Sequence, residues 1–193
     1  MPHTFANTMF SEPVRQLQQR HGSRGQYERM ARSGADEQRL GPEEAGFIAA
    51  RDSFYLATVT PDGWPYVQHR GGPKGFLEVI DAHTLAFADY SGNKQYISAG
   101  NLAVNDRFAL FLMDYPNRRR LKILGHVEIF EIAAVAPNLL TKMKFPERNV
   151  ERIMLIRIAA FDWNCSRHIT PRFTENEWQT HSSPLSAPPT TKE

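Results

Sequence analysis

Between Gly92 and Lys122 the chain gathers cations at places where turns and strand ends would present them. Lys94 follows Gly92 and Asn93 at the entry to a segment whose apolar members, Tyr96, Ile97 and Leu102, recur at helical spacing. Farther on, period-two alternation puts Arg118, Arg120 and Lys122 on one face of a long strand. Leu121, Ile123, Val127 and Ile129 take the other. A helix start near Lys94 offers free backbone N–H groups, and the arginines offer planar forks. Together they suit a phosphate. A charge run after the Pro116-Asn117 turn equally suits a solvated strand edge that discourages pairing, so both readings stand at this point.

Other reactive side chains carry less. His69 and His126 fit metal or haem ligands, but a lone histidine on a strand is more often a core or surface residue. Cys165 near His168 resembles a catalytic pair in composition. No orienting third group can be named, so an ordinary thiol is the preferred reading. Trp163 either closes one end of the fold or touches a ligand.

The elements that must position these residues follow from the chain order. The first 40 residues are polar, and Val14, Leu17 and His21, then Gln26 to Ala31, predict two short amphipathic turns interrupted by Gly22, Gly25 and Gly34. This region is expected to form an arm, 1–41, that wraps the domain or a partner subunit; partial disorder is the competing reading. Pro42 with Glu43 and Glu44 predicts a helix start, with Phe47, Ile48 and Ala50 on its buried side. From Ser53 the period becomes two, and Pro61-Asp62-Gly63 between Phe54 to Thr60 and Trp64 to Arg70 marks a hairpin. A glycine-rich basic loop, His69 to Gly75, leads to a second hairpin around Asp81 to Thr84. A short helix is expected from Pro137 to Met143, then a last apolar strand from Ile153 to Phe161.

The expected fold is mainly β, an α+β protein built on a six-stranded antiparallel Greek-key split barrel, closed on itself, with short flanking helices. The domain is expected over 42–174. A flexible tail, 175–193, ends in Ser, Pro and Thr without apolar spacing.

Composition narrows the functional classes. A formal net charge of +2 lacks the strong basic balance of a dedicated nucleic-acid binder, and no aromatic stacking residues interleave the arginine run. One cysteine excludes an intrachain disulfide framework, and no segment approaches the roughly 20 apolar residues of a bilayer span. A cytoplasmic protein with no membrane and no nucleic-acid partner is the expectation.

With these residues in view, the chain resembles the pyridoxamine 5′-phosphate oxidase-like, FMN-binding split-barrel family. The resemblance covers about Phe47 to Phe173 and rests on the order of its parts: the GNKQY turn, the strand RFALFLMDY, the run RRRLKILG and the segment DWNCSRH. It implies FMN at the interface of a homodimer, with the phosphate held by basic side chains. On that basis the cofactor-binding candidates are His69 or Arg70 with Lys74, then Asn93, Lys94 and Gln95 in the turn. Arg120, flanked by Arg119, resembles the ring-side polar residue, and Trp163 and Arg172 resemble the late tryptophan and arginine. No metal site is expected.

The departures matter too. Gly71, Gly72 and Pro73 rebuild the loop between the basic pair, Gln95 replaces a cation, and the substrate-phosphate residues of the oxidase are not recognisable. The resemblance therefore implies an FMN-dependent oxidoreductase with a small-molecule donor or acceptor, rather than a true pyridoxamine 5′-phosphate oxidase. A non-catalytic flavin-binding or sensing protein and a haem-binding split barrel are the alternatives. Arg120 near the pyrimidine end of the ring would favour reduced, anionic flavin.

Overall fold

The computed structural model describes residues 5–33, 38–137, 141, 143, 150–163 and 167–182. Seven strands form one antiparallel sheet: β1 Ser53–Val59, β2 Pro65–Gly71, β3 Glu78–Asp81, β4 Thr84–Tyr90, β5 Arg107–Asp114, β6 Arg119–Glu131 and β7 Val150–Trp163. Six α-helices accompany them among the described residues, α1 Phe5–Met9, α2 Glu12–Arg20, α3 Arg24–Ser33, α4 Pro42–Ala49, α5 Ile97–Val104 and α6 Glu175–Ser182, with a 3-10 turn at Ile132–Ala134 after β6.

The strand order is β2-β1-β5-β6-β7-β4-β3. Two expectations need correction here. The strands number seven rather than six, and the sheet is not closed, because β2 and β3 end it without pairing to each other. Its curl brings the two halves together through side chains instead. Phe54 on β1 stacks on Phe76 at 5.3 Å and meets Phe87 of β4 edge-on at 5.2 Å. Leu56, Leu110, Leu121, Ile123 and Met154 complete this interior, each at most 2 % exposed. Burial on that scale contributes about 1.5–3 kcal/mol per large apolar side chain.

Local chemistry explains the turns. Gly63 takes φ +88° in the β1–β2 turn, where a side chain would strain the backbone. Gly125 lies where β6 shifts register against β7, and a Cβ there would run into the carbonyl of Arg157. The Pro42 helix forms as expected with Phe47 and Ile48 buried, but Ala50 is its exposed C-terminal cap. Glu44 caps that helix, its carboxylate accepting from the Gly41 N–H at 2.9 Å.

Helix α1 packs against β7, and within the N-terminal segment Phe10 is edge-on to Tyr27 at 5.4 Å. Gly22, at φ +74°, makes the turn between α2 and α3, whereas Gly25 is accommodated inside α3. Glu175–Ser182, at the start of the tail segment, is helical, and the Pro137 to Met143 helix falls mostly outside the described residues. Among the described residues no helix is long and apolar enough to cross a membrane.

Candidate functional site

Alternation along β2 sends Tyr66, Gln68 and Arg70 to one face and Val67 and His69 to the other. That period separates two concave regions. On the first side, β2 faces the loop before α5, the end of β4 and the start of β7 across a polar cleft of about 230 Å³. Arg70, Lys94 and Arg152 enter it, with Asp89 and Glu151, so three cations against two carboxylates leave one positive charge.

Asp89 organises the cleft. It is 4 % exposed, and its two oxygens accept from Arg70 at 2.5 Å and from Arg152 at 3.1 Å. Arg152 also pairs with Glu151 at 2.8 Å and lies 4.8 Å from the centre of the Tyr96 ring. Burial pulls the Arg152 guanidinium down, but the hydrogen bond and charge of Asp89, joined by Glu151 and Glu131, hold it above its ordinary value. Burial, then the charge of Glu78, pushes the Tyr90 hydroxyl up. The β4–β7 register sets Asp89 opposite Arg152, so this pairing follows from strand alignment.

The loop itself is held in an uncommon shape. Lys94 at φ +60° and Tyr96 at φ +52° are both left-handed without being glycine, and the Asn93 side chain accepts from the Gln95 N–H at 3.2 Å. Helix α5 consequently begins at Ile97, three residues later than a start at Lys94, with Tyr96 as its cap. The helix-terminus donors expected at Lys94 are therefore replaced by an asparagine turn. Tyr96 and Ile97, expected on the buried side, are 46 % and 37 % exposed. Ser98 and Asn101 anchor the helix by hydrogen bonds to Gln68 at 2.7 Å and Thr58 at 2.9 Å.

A second, larger cavity of about 640 Å³ lies on the opposite side of β2, over the outward face of β1, β5 and β6. Its walls include Tyr55, Val67, Phe111, Met113 and Leu124, with Phe5 and Met9 of α1 and the segment from His168 to Arg172 along its rim. Arg120, Lys122 and Arg172 are its cations.

The candidate residues thus separate. Arg70, Asn93, Lys94 and Gln95 meet in the polar cleft, and alternation along β2 sends Arg70, not His69, into it. His69 sits on the other face, edge-on to Tyr55 at 5.6 Å. Lys74 is an exposed residue of the turn after β2 and lines neither region. Arg120 and Arg172 stand in the apolar cavity. Arg119 faces away from Arg120, pairing with Glu43 at 2.5 Å and lying 4.4 Å from the centre of the Trp163 ring. Trp163 donates its indole N–H to Glu44 at 2.8 Å, which fixes it against α4. Arg118 is a turn residue at φ +53° and does not share the strand face of Arg120 and Lys122. Cys165 lies outside the described residues. Gln68, Asp89, Ser98 and Arg152 were not singled out by sequence; the β4–β7 pairing was the signal that could have revealed the last.

An open, curled antiparallel sheet whose cationic cleft lies beside a short helix defines a split-barrel protein able to hold an anion. The chain belongs to the pyridoxamine 5′-phosphate oxidase family, whose model matches residues 40–159. Similar solved structures include a candidate pyridoxamine 5′-phosphate oxidase from Lactobacillus delbrueckii, 25 % identical. The match covers 65 % of this chain and 94 % of that one, at a TM-score of 0.50. An FMN-binding protein from Syntrophomonas wolfei is 15 % identical over 78 % of this chain and 97 % of its own, at a TM-score of 0.45. No curated protein matches.

FMN is the cofactor that the family implies, and the residues present fit its anionic end. The Arg70 Nε is buried without a hydrogen-bond partner, and no ion pair engages Lys94 among the described residues. Both leave donor capacity for a phosphate beside Gln95 and Ser98. Among the described residues no group of three or more His, Cys, Asp or Glu is placed to hold a metal.

Proposed function

We propose that this protein is an FMN-binding oxidoreductase acting on a small molecule, working as a homodimer, with a substrate other than that of a true pyridoxamine 5′-phosphate oxidase. The observation that carries the reading is the cleft: Arg70 and Arg152 fixed by one buried carboxylate, with Lys94 held beside them on a strained loop. Fixed cations bind a dianion without first giving up conformational freedom.

Arg70 and Lys94 take the phosphate, each charge-assisted contact contributing roughly 1.5–3 kcal/mol. Gln95 and Ser98 orient it, while Asp89 keeps both guanidiniums from turning away. When bound, FMN supplies the electron-transfer chemistry. At about 230 Å³ the cleft is smaller than the roughly 300–1,000 Å³ of sites that enclose a whole ligand. It suits the phosphate end, with the ring leaving across the edge strand.

A partner surface supports the homodimer. Trp64, Val67 and Tyr55 are 75 %, 60 % and 40 % exposed around the outward face of the β1–β2 hairpin, and a second copy would cover them. Lys74 outside the cleft supports the distinction from the true oxidase.

The deciding experiment is the absorption spectrum of purified protein after loading with FMN and removal of excess, followed by release and identification of the bound flavin. One flavin per chain with a nicotinamide-dependent bleaching is the expected result. Protein that stays colourless, or that retains haem with a Soret band, overturns the cofactor.

A further inference from the structure

On the FMN reading the ring end of the cofactor crosses β2 to the outward sheet face, and that face already carries a segment of the same chain. Phe5 and Met9 of α1 stand with Tyr55, Phe111 and Arg120 around the cavity there. The family model matches residues 40–159, so α1 lies before the matched barrel and is an addition to it.

The seat of this helix is small. It has five residues, and Ala6, 4 % exposed, is the buried one. A helix so short does not hold its shape alone, so its position depends on what it packs against. Among the described residues α1 packs on β7 and on α3, while α2 and α3 pack chiefly within the arm. Lys122, paired with Asp162 at 2.6 Å, lies 4.3 Å from the centre of the Phe5 ring. Met9 keeps 46 % of its surface exposed.

The arm is also poorly fitted to the sheet beneath it. A space of about 450 Å³ lies between Phe10, Tyr27 and Met30 on one side and Arg120, Asp162 and Trp163 on the other. Elements that belong to a core leave no gap of that size. The interior cluster of the barrel begins at Leu40, so the arm can lift while the core stays intact.

We propose that α1 is a gate on the flavin site. Closed, it lays Phe5 and Met9 over the ring end and keeps solvent from it; lifted, with α2 and α3 moving along, it admits and releases the cofactor and the small-molecule substrate. The gate rests on the FMN reading. Two apolar side chains suit the edge of a flat aromatic body. By linkage, whatever the closed arm adds to FMN retention, bound FMN adds to arm closure.

The test uses the full-length protein loaded with FMN. Ala6→Asp places a charge in the one buried position of α1 and should unseat it; Phe5→Ala should loosen it. After dilution Ala6→Asp is expected to release FMN about 10-fold faster than the parent, and iodide should quench its flavin fluorescence about threefold more strongly, with Phe5→Ala between the two. The main melting transition of the barrel should be unchanged in both. Trypsin cleavage after Arg15 and Arg20 should be slower in loaded than in empty parent protein, and equally fast in both forms of Ala6→Asp. Equal release and equal quenching in the parent and both variants overturn the gate, as does cleavage that FMN does not slow. Slower release from Ala6→Asp would make the arm a competitor of the flavin and overturn it too. A parent protein that takes up no FMN fails the cofactor reading and the gate with it, whereas a loaded parent whose variants behave alike fails the gate alone.

Discussion

The two concave regions on either side of β2 solve opposite electrostatic problems. In the polar cleft each buried guanidinium is answered by Asp89 or Glu151, and the surplus charge comes from Lys94 on a strained loop. In the apolar cavity Arg120 and the exposed Arg172 have no carboxylate partner among the described residues, and the walls are mostly aromatic and aliphatic. The first arrangement is compensated within the fold; the second leaves a buried guanidinium nitrogen of Arg120 without an acceptor among the described residues. A compensated cluster contributes to the fold and to binding together, while an uncompensated cation costs stability until its anion is present.

Substitutions sharpen this contrast. The largest effect is expected for Lys94→Glu, which adds a repulsive charge beside the phosphate; FMN affinity in equilibrium dialysis should fall roughly 100-fold or more, with the melting temperature unchanged. Retained affinity would remove the loop from the site. Arg70→Met should cost FMN affinity by about 10- to 100-fold and also lower the stability measured in urea by about 1–3 kcal/mol, because Asp89 keeps only Arg152. Loss of binding with no loss of stability would show that Asp89 does not couple the two.

Arg120→Met is expected to behave the other way. Unfolding in urea should show a gain of about 1 kcal/mol, since a buried nitrogen without an acceptor disappears, and FMN affinity should stay within about threefold. A destabilised variant would mean that Arg120 has a structural partner and would break the comparison. The smallest effect belongs to Arg119→Gln. Its pair with Glu43 is 42 % and 66 % exposed, so no more than about 1 kcal/mol should be lost, with flavin retention unchanged.

Much of this was legible because it depends on period and turn chemistry. Alternation located β1, β2, β5 and β6, the Asp62-Gly63 turn marked the first hairpin, and Pro42 with its glutamates marked α4. That Lys94 and Arg70 could share one cleft was suggested by the order of elements, and both line it. What escaped is nonlocal. Arg119 and Arg120 are neighbours in sequence, yet strand alternation sends one to Glu43 and the other into the cavity. Arg152 looks like any strand arginine until the β4–β7 register sets it across from Asp89. Closure of the sheet also misled: short strands at regular spacing suit a barrel, but pairing of the last edges depends on geometry that no local pattern encodes.

The strand order also sets a timetable for synthesis. Each early hairpin, β1–β2 and β3–β4, can form as soon as its own residues emerge, but the backbone partner of Asp89 is Arg152, 63 residues later. At about 5–20 residues per second, the ribosome delivers β7 roughly 3–13 s after β4. During that interval β4 presents an unpaired, apolar edge to the cell, and the nascent chain is most exposed to misassociation after its first half has been made and before its last strand arrives.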